Sequence, residues 1–124
     1  MKKILVVVAI SLVLAPKLSR AEFVNDFHCT LNKGYTVPQL YTFQKDWMAA
    51  ARQQGFDSAY QTQIYFPFYA EVTTTDPIFF IWRGQFSGGT QLGKMLDWFP
   101  ASVWAGKFAQ IMNCSKSSLW SAPQ

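Results

Sequence analysis

Two cysteines near opposite ends of the chain place the strongest constraint on how this sequence can fold. Cys29 and Cys114 are its only cysteines, and a bond between them would bring the first and last secondary-structure elements side by side. Closing a loop of this length stabilises a folded protein by about 4 kcal/mol in the chain-entropy model. Whether the bond forms depends on the compartment, because disulfides persist in oxidising surroundings.

Residues 1–21 have the pattern of a cleaved secretory signal peptide. A lysine pair precedes an apolar run at 4–15, which is shorter than the roughly 20 residues needed to span a bilayer. Small residues then favour cleavage after Ala21. The compact leader is typical of bacteria, so we predict that residues 22–124 reach the periplasm or are secreted, without membrane attachment. An uncleaved N-terminal anchor is the alternative.

The basic character of the chain belongs to this leader. Four of the eleven Lys and Arg residues lie before position 22 and all seven Asp and Glu residues follow, so residues 22–124 carry seven of each. A formally neutral domain has no excess of positive charge for nucleic acid, which we exclude as a partner. All five Trp, five Tyr and eleven Phe residues also lie after position 21, which excludes a disordered chain.

In an oxidising compartment, Cys29 and Cys114 are predicted to form a structural disulfide. The alternatives are a metal site and a redox pair. His28 is the only histidine, which leaves too few ligands for a metal, and no C-x-x-C is present. Residues 88–94 read G-x-x-x-x-G-K, but Met95 occupies the position where a nucleotide-binding P-loop requires Ser or Thr. We therefore predict no metal and no other cofactor.

Hydrophobic periodicity predicts the element order β-α-β-β-α(α)-β. Apolar and polar residues alternate at 23–31, which predicts a half-buried strand. Thr36 and Gln39 have the spacing of a capping box, ahead of helical periodicity at 37–54. The remaining predicted elements are a strand at 60–70 placed at an edge by Pro67, a central strand at 78–86, a helix capped by Thr90, a helix restarting at Ser102, and a brief last strand or ordered tail from Cys114 to Ala122.

This order predicts one ferredoxin-like α+β domain over residues 22–124, with an antiparallel four-stranded sheet and helices on one face. The first and last strands are neighbours in that topology, so Cys29 and Cys114 would be adjacent. Element order, size and a tryptophan-rich stretch around Trp82, Trp98 and Trp104 resemble the dimeric α+β barrel group, which includes antibiotic-biosynthesis-monooxygenase-like domains. That resemblance implies two sheets paired into a barrel and a small hydrophobic ligand held between sheet and helices.

A homodimer is also expected on physical grounds. A sheet with helices on one side and this many aromatic residues would expose a large apolar patch unless a second subunit covered it. We therefore expect the dimer to form through the free face of the sheet.

His28 and Asp26 are the candidate catalytic residues. Alternation places them on one face of the first strand, and any histidine-dependent acid–base step must use His28. The alternative is a solvated or interface row that also includes Thr30. Arg83 interrupts the apolar third strand, either as an anion anchor at a pocket rim or as a structural partner of Glu71, Asp76 or a terminus.

The leading functional hypothesis is an exported domain that binds a small apolar or aromatic molecule in an aromatic pocket. One alternative is a cofactor-independent, monooxygenase-like enzyme in which His28 or Asp26 accepts a proton. Another is a module whose aromatic surface binds a second envelope protein. The predicted ligand-binding residues are Trp47, Tyr65, Phe80, Trp82 and Arg83.

Overall fold

Residues 22–67 and 77–121 are described in a computed structural model, and they form four strands, three α-helices and one short 3₁₀-helix. The predicted signal peptide lies outside these residues. The elements are β1 (Phe23–Leu31), α1 (Val37–Gln53), β2 (Gln61–Tyr65), β3 (Phe79–Phe86), α2 (Gly89–Trp98), the 3₁₀-helix (Phe99–Ala101), α3 (Val103–Ile111) and β4 (Met112–Ser121).

The strands form one antiparallel sheet in the order β2-β3-β1-β4. β3 is a central strand and β2 is an edge strand, both as predicted. The α+β class and the four-stranded antiparallel sheet are therefore confirmed. The arrangement is compatible with a ferredoxin-like domain, in which a helix connects each of two strand pairs.

The predicted disulfide is confirmed, and it joins β1 to β4. Cys29 lies directly opposite Cys114 in the register of these strands, and their Cα atoms are 3.9 Å apart. The register shifts by one residue between His28 and Cys29, which marks a bulge next to the bond. The first and last strands are thus linked covalently, near one end of their pairing.

The capping box of α1 is confirmed at atomic detail. The backbone N–H of Thr36 donates to Oε1 of Gln39 at 2.8 Å, and the N–H of Gln39 donates to the Thr36 hydroxyl at 3.4 Å. Gly55 follows the helix with a φ of +88°, a conformation that favours glycine. Helical spacing then buries four residues of α1 against the sheet: Leu40, Phe43, Trp47 and Ala51.

Three predicted boundaries are wrong. β2 covers only Gln61–Tyr65, and residues 68–70 of the predicted strand lie outside the described part of the chain. α2 is capped by Gly88 rather than Thr90, because the carbonyl of Gly88 already accepts the N–H of Leu92 at 3.2 Å. β4 is a full strand of 10 residues rather than a brief one, since it pairs with β1 along the whole length of β1.

The sheet has two different faces because side chains alternate along each strand. Phe80, Trp82 and Phe86 of β3 are buried on the face that contacts the helices, which we call the helix side. The opposite face, which we call the open face, is defined by Asp26, His28, Tyr65, Phe79, Arg83 and Trp120. Three of its aromatic residues are exposed, namely Tyr65, Phe79 and Trp120.

None of the helices found within residues 22–67 and 77–121 combines the length and apolar character needed to cross a membrane.

Candidate functional site

The sheet divides the residues that the sequence proposed as a site into two groups. Trp47 of α1 contacts the helix side, where Phe80 and Trp82 also lie. The four polar or amphipathic candidates are on the open face instead: Asp26, His28, Tyr65 and Arg83. The backbone layer of the sheet separates Trp47 and Trp82 from the open-face group, whereas Phe80 lines a smaller cavity together with His28 and Tyr65.

On the open face, Asp26 and Arg83 form a two-pronged ion pair. They are opposite each other in β1 and β3, with Nε to Oδ1 at 2.7 Å and Nη2 to Oδ2 at 3.0 Å. The hydrogen bond to Asp26 raises the pKa of the Arg83 guanidinium above its ordinary value. Asp26 is 7% exposed, so its two oxygens are shielded as well as engaged. The structural partner of Arg83 is therefore Asp26; the candidates Glu71 and Asp76 lie outside the described residues.

Around this pair, polar side chains of β2 and β3 extend the network. The Arg83 guanidinium carbon lies 5.0 Å from the centre of the Tyr65 ring, a cation–π contact. The Tyr65 hydroxyl donates to Oε1 of Gln63, which also accepts from Nε2 of Gln85 at 3.2 Å. These contacts thus fix the positions of the side chains in the middle of the open face.

His28 lies at one end of the open face, beside a cavity of about 350 Å³. It is exposed, and its neighbours across the sheet are Ile81 of β3 and Lys116 of β4. Both oxygens of Asp26 accept from Arg83, and no hydrogen bond between His28 and a carboxylate is found within the described ranges. Among the described residues, His28 therefore has no oriented acidic partner of the kind that a triad-type base uses. Other residues lining this cavity include Thr30, Tyr65, Phe66, Phe79 and Ser115.

A larger cavity, of about 600 Å³, lies between the helix side of the sheet and the segment formed by α2, the 3₁₀-helix and α3. Of the predicted ligand-binding residues, Trp47 and Trp82 line it. Most of its other lining residues were not singled out from the sequence. The apolar part of the lining includes Phe27, Phe86, Met95, Leu96, Phe99, Ala105, Phe108 and Met112.

An aromatic cluster around Trp47 builds one wall of this larger cavity. The Trp47 ring stacks on Trp98 with a centroid separation of 5.5 Å, and it meets the Phe108 ring edge-on at 5.0 Å. Phe108 in turn lies 5.0 Å from Trp82, again edge-on. Stacked and edge-to-face contacts are the favourable geometries for aromatic pairs. The cluster therefore connects α1, α2, α3 and the sheet around the cavity.

One buried hydrogen bond adds polarity to this wall. The indole N–H of Trp47 donates to the hydroxyl of Tyr60 at 2.9 Å. Tyr60 is 2% exposed, and burial raises the pKa of its phenol well above the ordinary value, so the group stays protonated at neutral pH. Tyr60 was not predicted as a site residue, although the alternating pattern that places Ile64 on the helix side also includes it.

Gly84 lies next to the Tyr60 hydroxyl. A Cβ atom at Gly84 would lie 3.8 Å from that hydroxyl oxygen, which is ordinary contact. Asn25 is opposite Gly84 in the β1–β3 register, and both residues line the cavity. The polar groups of the cavity are thus the Tyr60 hydroxyl, the Asn25 amide and two further asparagines, Asn32 and Asn113. The side-chain amide of Asn32 donates hydrogen bonds to the backbone carbonyl oxygens of Ala109 and Gln110 at the end of α3, both at 3.0 Å.

Within residues 22–67 and 77–121, no group of three or more His, Cys, Asp or Glu side chains is arranged to hold a metal ion. The lining of the larger cavity, as described, contains no Asp, Glu, Lys, Arg or His. Its chemistry is therefore that of aromatic rings, thioethers, amides and one phenol.

No family model, no curated protein and no solved structure matches this chain.

Proposed function

We propose that residues 22–124 form an exported domain that binds a small apolar or aromatic molecule in the larger cavity. The observation that carries this proposal is the cavity itself, of about 600 Å³ and lined mainly by aromatic and aliphatic side chains. Ligand sites typically have volumes of about 300–1,000 Å³, with an apolar lining and a few polar groups that orient the ligand. Trp47 and Trp82 would form its walls.

The cavity is open on one side, so a molecule can enter it from the surface. Its lining side chains leave apolar surface in contact with water there, and covering such surface is favourable. The residues around the cavity are large, yet Leu96 on α2 remains 60% exposed at its rim instead of packing inward. A bound molecule would recover the contacts that the lining side chains do not make with each other.

Export and dimerisation belong to the same proposal. The Cys29–Cys114 disulfide is compatible with an oxidising compartment such as the periplasm or the medium of a bacterium. Phe79 and Trp120 are 55% and 59% exposed on the open face, which also holds the partly buried Asp26–Arg83 pair. A second copy covering this face would remove these rings from water, giving a ferredoxin-like homodimer whose sheets pair into a barrel.

The test is binding of N-phenyl-1-naphthylamine, an uncharged fluorescent probe, to the chain expressed with its own leader. Leu96→Trp enlarges a side chain at the rim of the cavity, and we expect it to weaken probe binding by about tenfold or more, since the ring occupies the entrance. Val103→Trp is the matched control, because Val103 is 73% exposed on α3 and does not line the cavity.

Unchanged affinity in Leu96→Trp, or equal losses in both variants, would contradict binding in this cavity. Native mass spectrometry of the same wild-type sample gives the oligomeric state and the mass of any retained molecule. A purely monomeric spectrum would contradict the homodimer.

A further inference from the structure

The Tyr60 hydroxyl has an unused hydrogen-bonding capacity at the wall of the larger cavity. A phenol can donate one hydrogen bond and accept others. The indole N–H of Trp47 uses the acceptor side, at 2.9 Å. Among the described residues, none accepts the Tyr60 proton, although the side chain is only 2% exposed. The cavity is open on one side, so a molecule bound in it can accept this hydrogen bond in place of solvent.

The same lining restricts the charge of that partner. No ionisable side chain other than the Tyr60 phenol lines the cavity as described, and burial keeps that phenol protonated. An ionised ligand would lose its hydration without gaining an opposite charge, which is strongly unfavourable. An uncharged molecule with an apolar body avoids that cost, because the aromatic walls replace the water around it.

We propose that the cavity selects an uncharged, largely apolar molecule carrying a carbonyl-type oxygen, which accepts the hydrogen bond of the Tyr60 hydroxyl. This assignment rests on the proposed binding function and names its ligand class. Trp47 acts as the positioning residue, because its N–H holds the phenol oxygen and leaves the phenol proton as the group to be donated. Gly84 leaves room for the ligand oxygen, since any larger residue would place carbon atoms beside the hydroxyl.

Two probes of equal ring skeleton test the proposal: 1-tetralone, which has one carbonyl, and tetralin, which has none. Their affinities are measured on the whole exported chain by quenching of tryptophan fluorescence, since Trp47 and Trp82 line the cavity. In Tyr60→Phe we expect tetralone to bind about five- to tenfold more weakly and tetralin to bind within about twofold of wild type, because one neutral hydrogen bond is lost.

Tyr41→Phe is the matched control, because Tyr41 is 48% exposed on α1 and does not line the cavity, and we expect it to preserve the preference for tetralone. Asn25→Val removes the other candidate donor, the Asn25 amide. The infrared carbonyl stretch of bound tetralone provides a second readout on the wild-type protein alone. We expect it at lower wavenumber than in hexane, and we expect the shift to disappear in Tyr60→Phe but not in Tyr41→Phe.

The outcomes separate the two proposals. If neither probe binds the wild-type chain, the binding function itself is wrong. If both bind, and Tyr60→Phe weakens both equally or neither, the cavity binds ligands but the assigned donor is wrong. A carbonyl stretch unshifted from hexane overturns the inference without any variant, and a shift lost only in Asn25→Val assigns the donor to Asn25.

Discussion

The two faces of this sheet are built from the same strands and have opposite chemistry. On the helix side, aromatic rings surround a cavity and the polar group at its wall is a phenol held by an indole. On the open face, a guanidinium–carboxylate pair is surrounded by glutamines and exposed rings. Trp82 and Arg83 are adjacent in sequence, yet one contributes to the cavity and the other to the ion pair. A shift of one residue in register would exchange these roles.

The comparison also explains where a ligand and a partner subunit would each bind. An uncharged molecule gains most on the helix side, where it meets no charge. A protein surface can match the mixed polar and apolar character of the open face, because interfaces combine aromatic residues with a polar rim. His28 and Asp26 lie on the open face, so they would contact a partner subunit rather than a ligand in the larger cavity.

The largest expected effect on stability comes from a substitution in the aromatic cluster of the helix side. Trp47→Ala removes the ring at the centre of the aromatic cluster and leaves the Tyr60 hydroxyl without its indole partner. We expect the free energy of unfolding to fall by about 3–5 kcal/mol, because a large buried side chain is lost. Urea denaturation measures this difference.

Tyr65→Ala is the matched change on the open face. Tyr65 is 42% exposed, so we expect a loss of about 1 kcal/mol in a dilute monomer. A loss close to that of Trp47→Ala that grows with protein concentration would show that a second subunit buries the open face. Equal losses at every concentration would contradict the difference between the two faces.

A smaller effect is expected from the ion pair. Asp26→Asn keeps the shape of the side chain but leaves the Arg83 guanidinium without its negative partner. We expect a loss of about 1–2 kcal/mol, less than for a fully buried pair, since the Arg83 side chain is 34% exposed. Asp46→Asn on the exposed side of α1 is the control, with an expected change within about 0.5 kcal/mol. Thermal denaturation of both variants at pH 7 measures the contrast.

The last expected effect is a pH dependence of stability that appears only in alkaline solution. The pKa of Tyr60 is raised by burial, so above pH about 10 the unfolded chain loses a proton that the folded chain retains. Stability from this group is therefore fully present well below pH 10 and falls as the pH rises, with a slope that approaches about 1.4 kcal/mol per pH unit above the pKa of the unfolded phenol. Because that phenol is half ionised at pH 10, we expect the difference in unfolding free energy between wild type and Tyr60→Phe to fall by about 1 kcal/mol between pH 10 and 11. A difference independent of pH would contradict a buried, protonated phenol.

Several features of the fold were predictable because they depend on local patterns. The bounds of β1 follow from alternation, and the start of α1 follows from the capping box of Thr36 and Gln39. The disulfide was predictable for a different reason, since two cysteines of a chain predicted to be exported have few other roles. β4 was underestimated because its residues are mostly polar, and its length depends on pairing with β1.

The amino-acid sequence by itself determined the order of the elements, the alternation of side chains along each strand and the covalent link between the ends. These depend on contacts between near neighbours or on the chemistry of two unique residues. Only the tertiary structure decided that Asp26 pairs with Arg83 and that Tyr60 and Trp47 meet beside a cavity. Such contacts require a strand register and a helix position, which arise from packing among residues far apart in the chain.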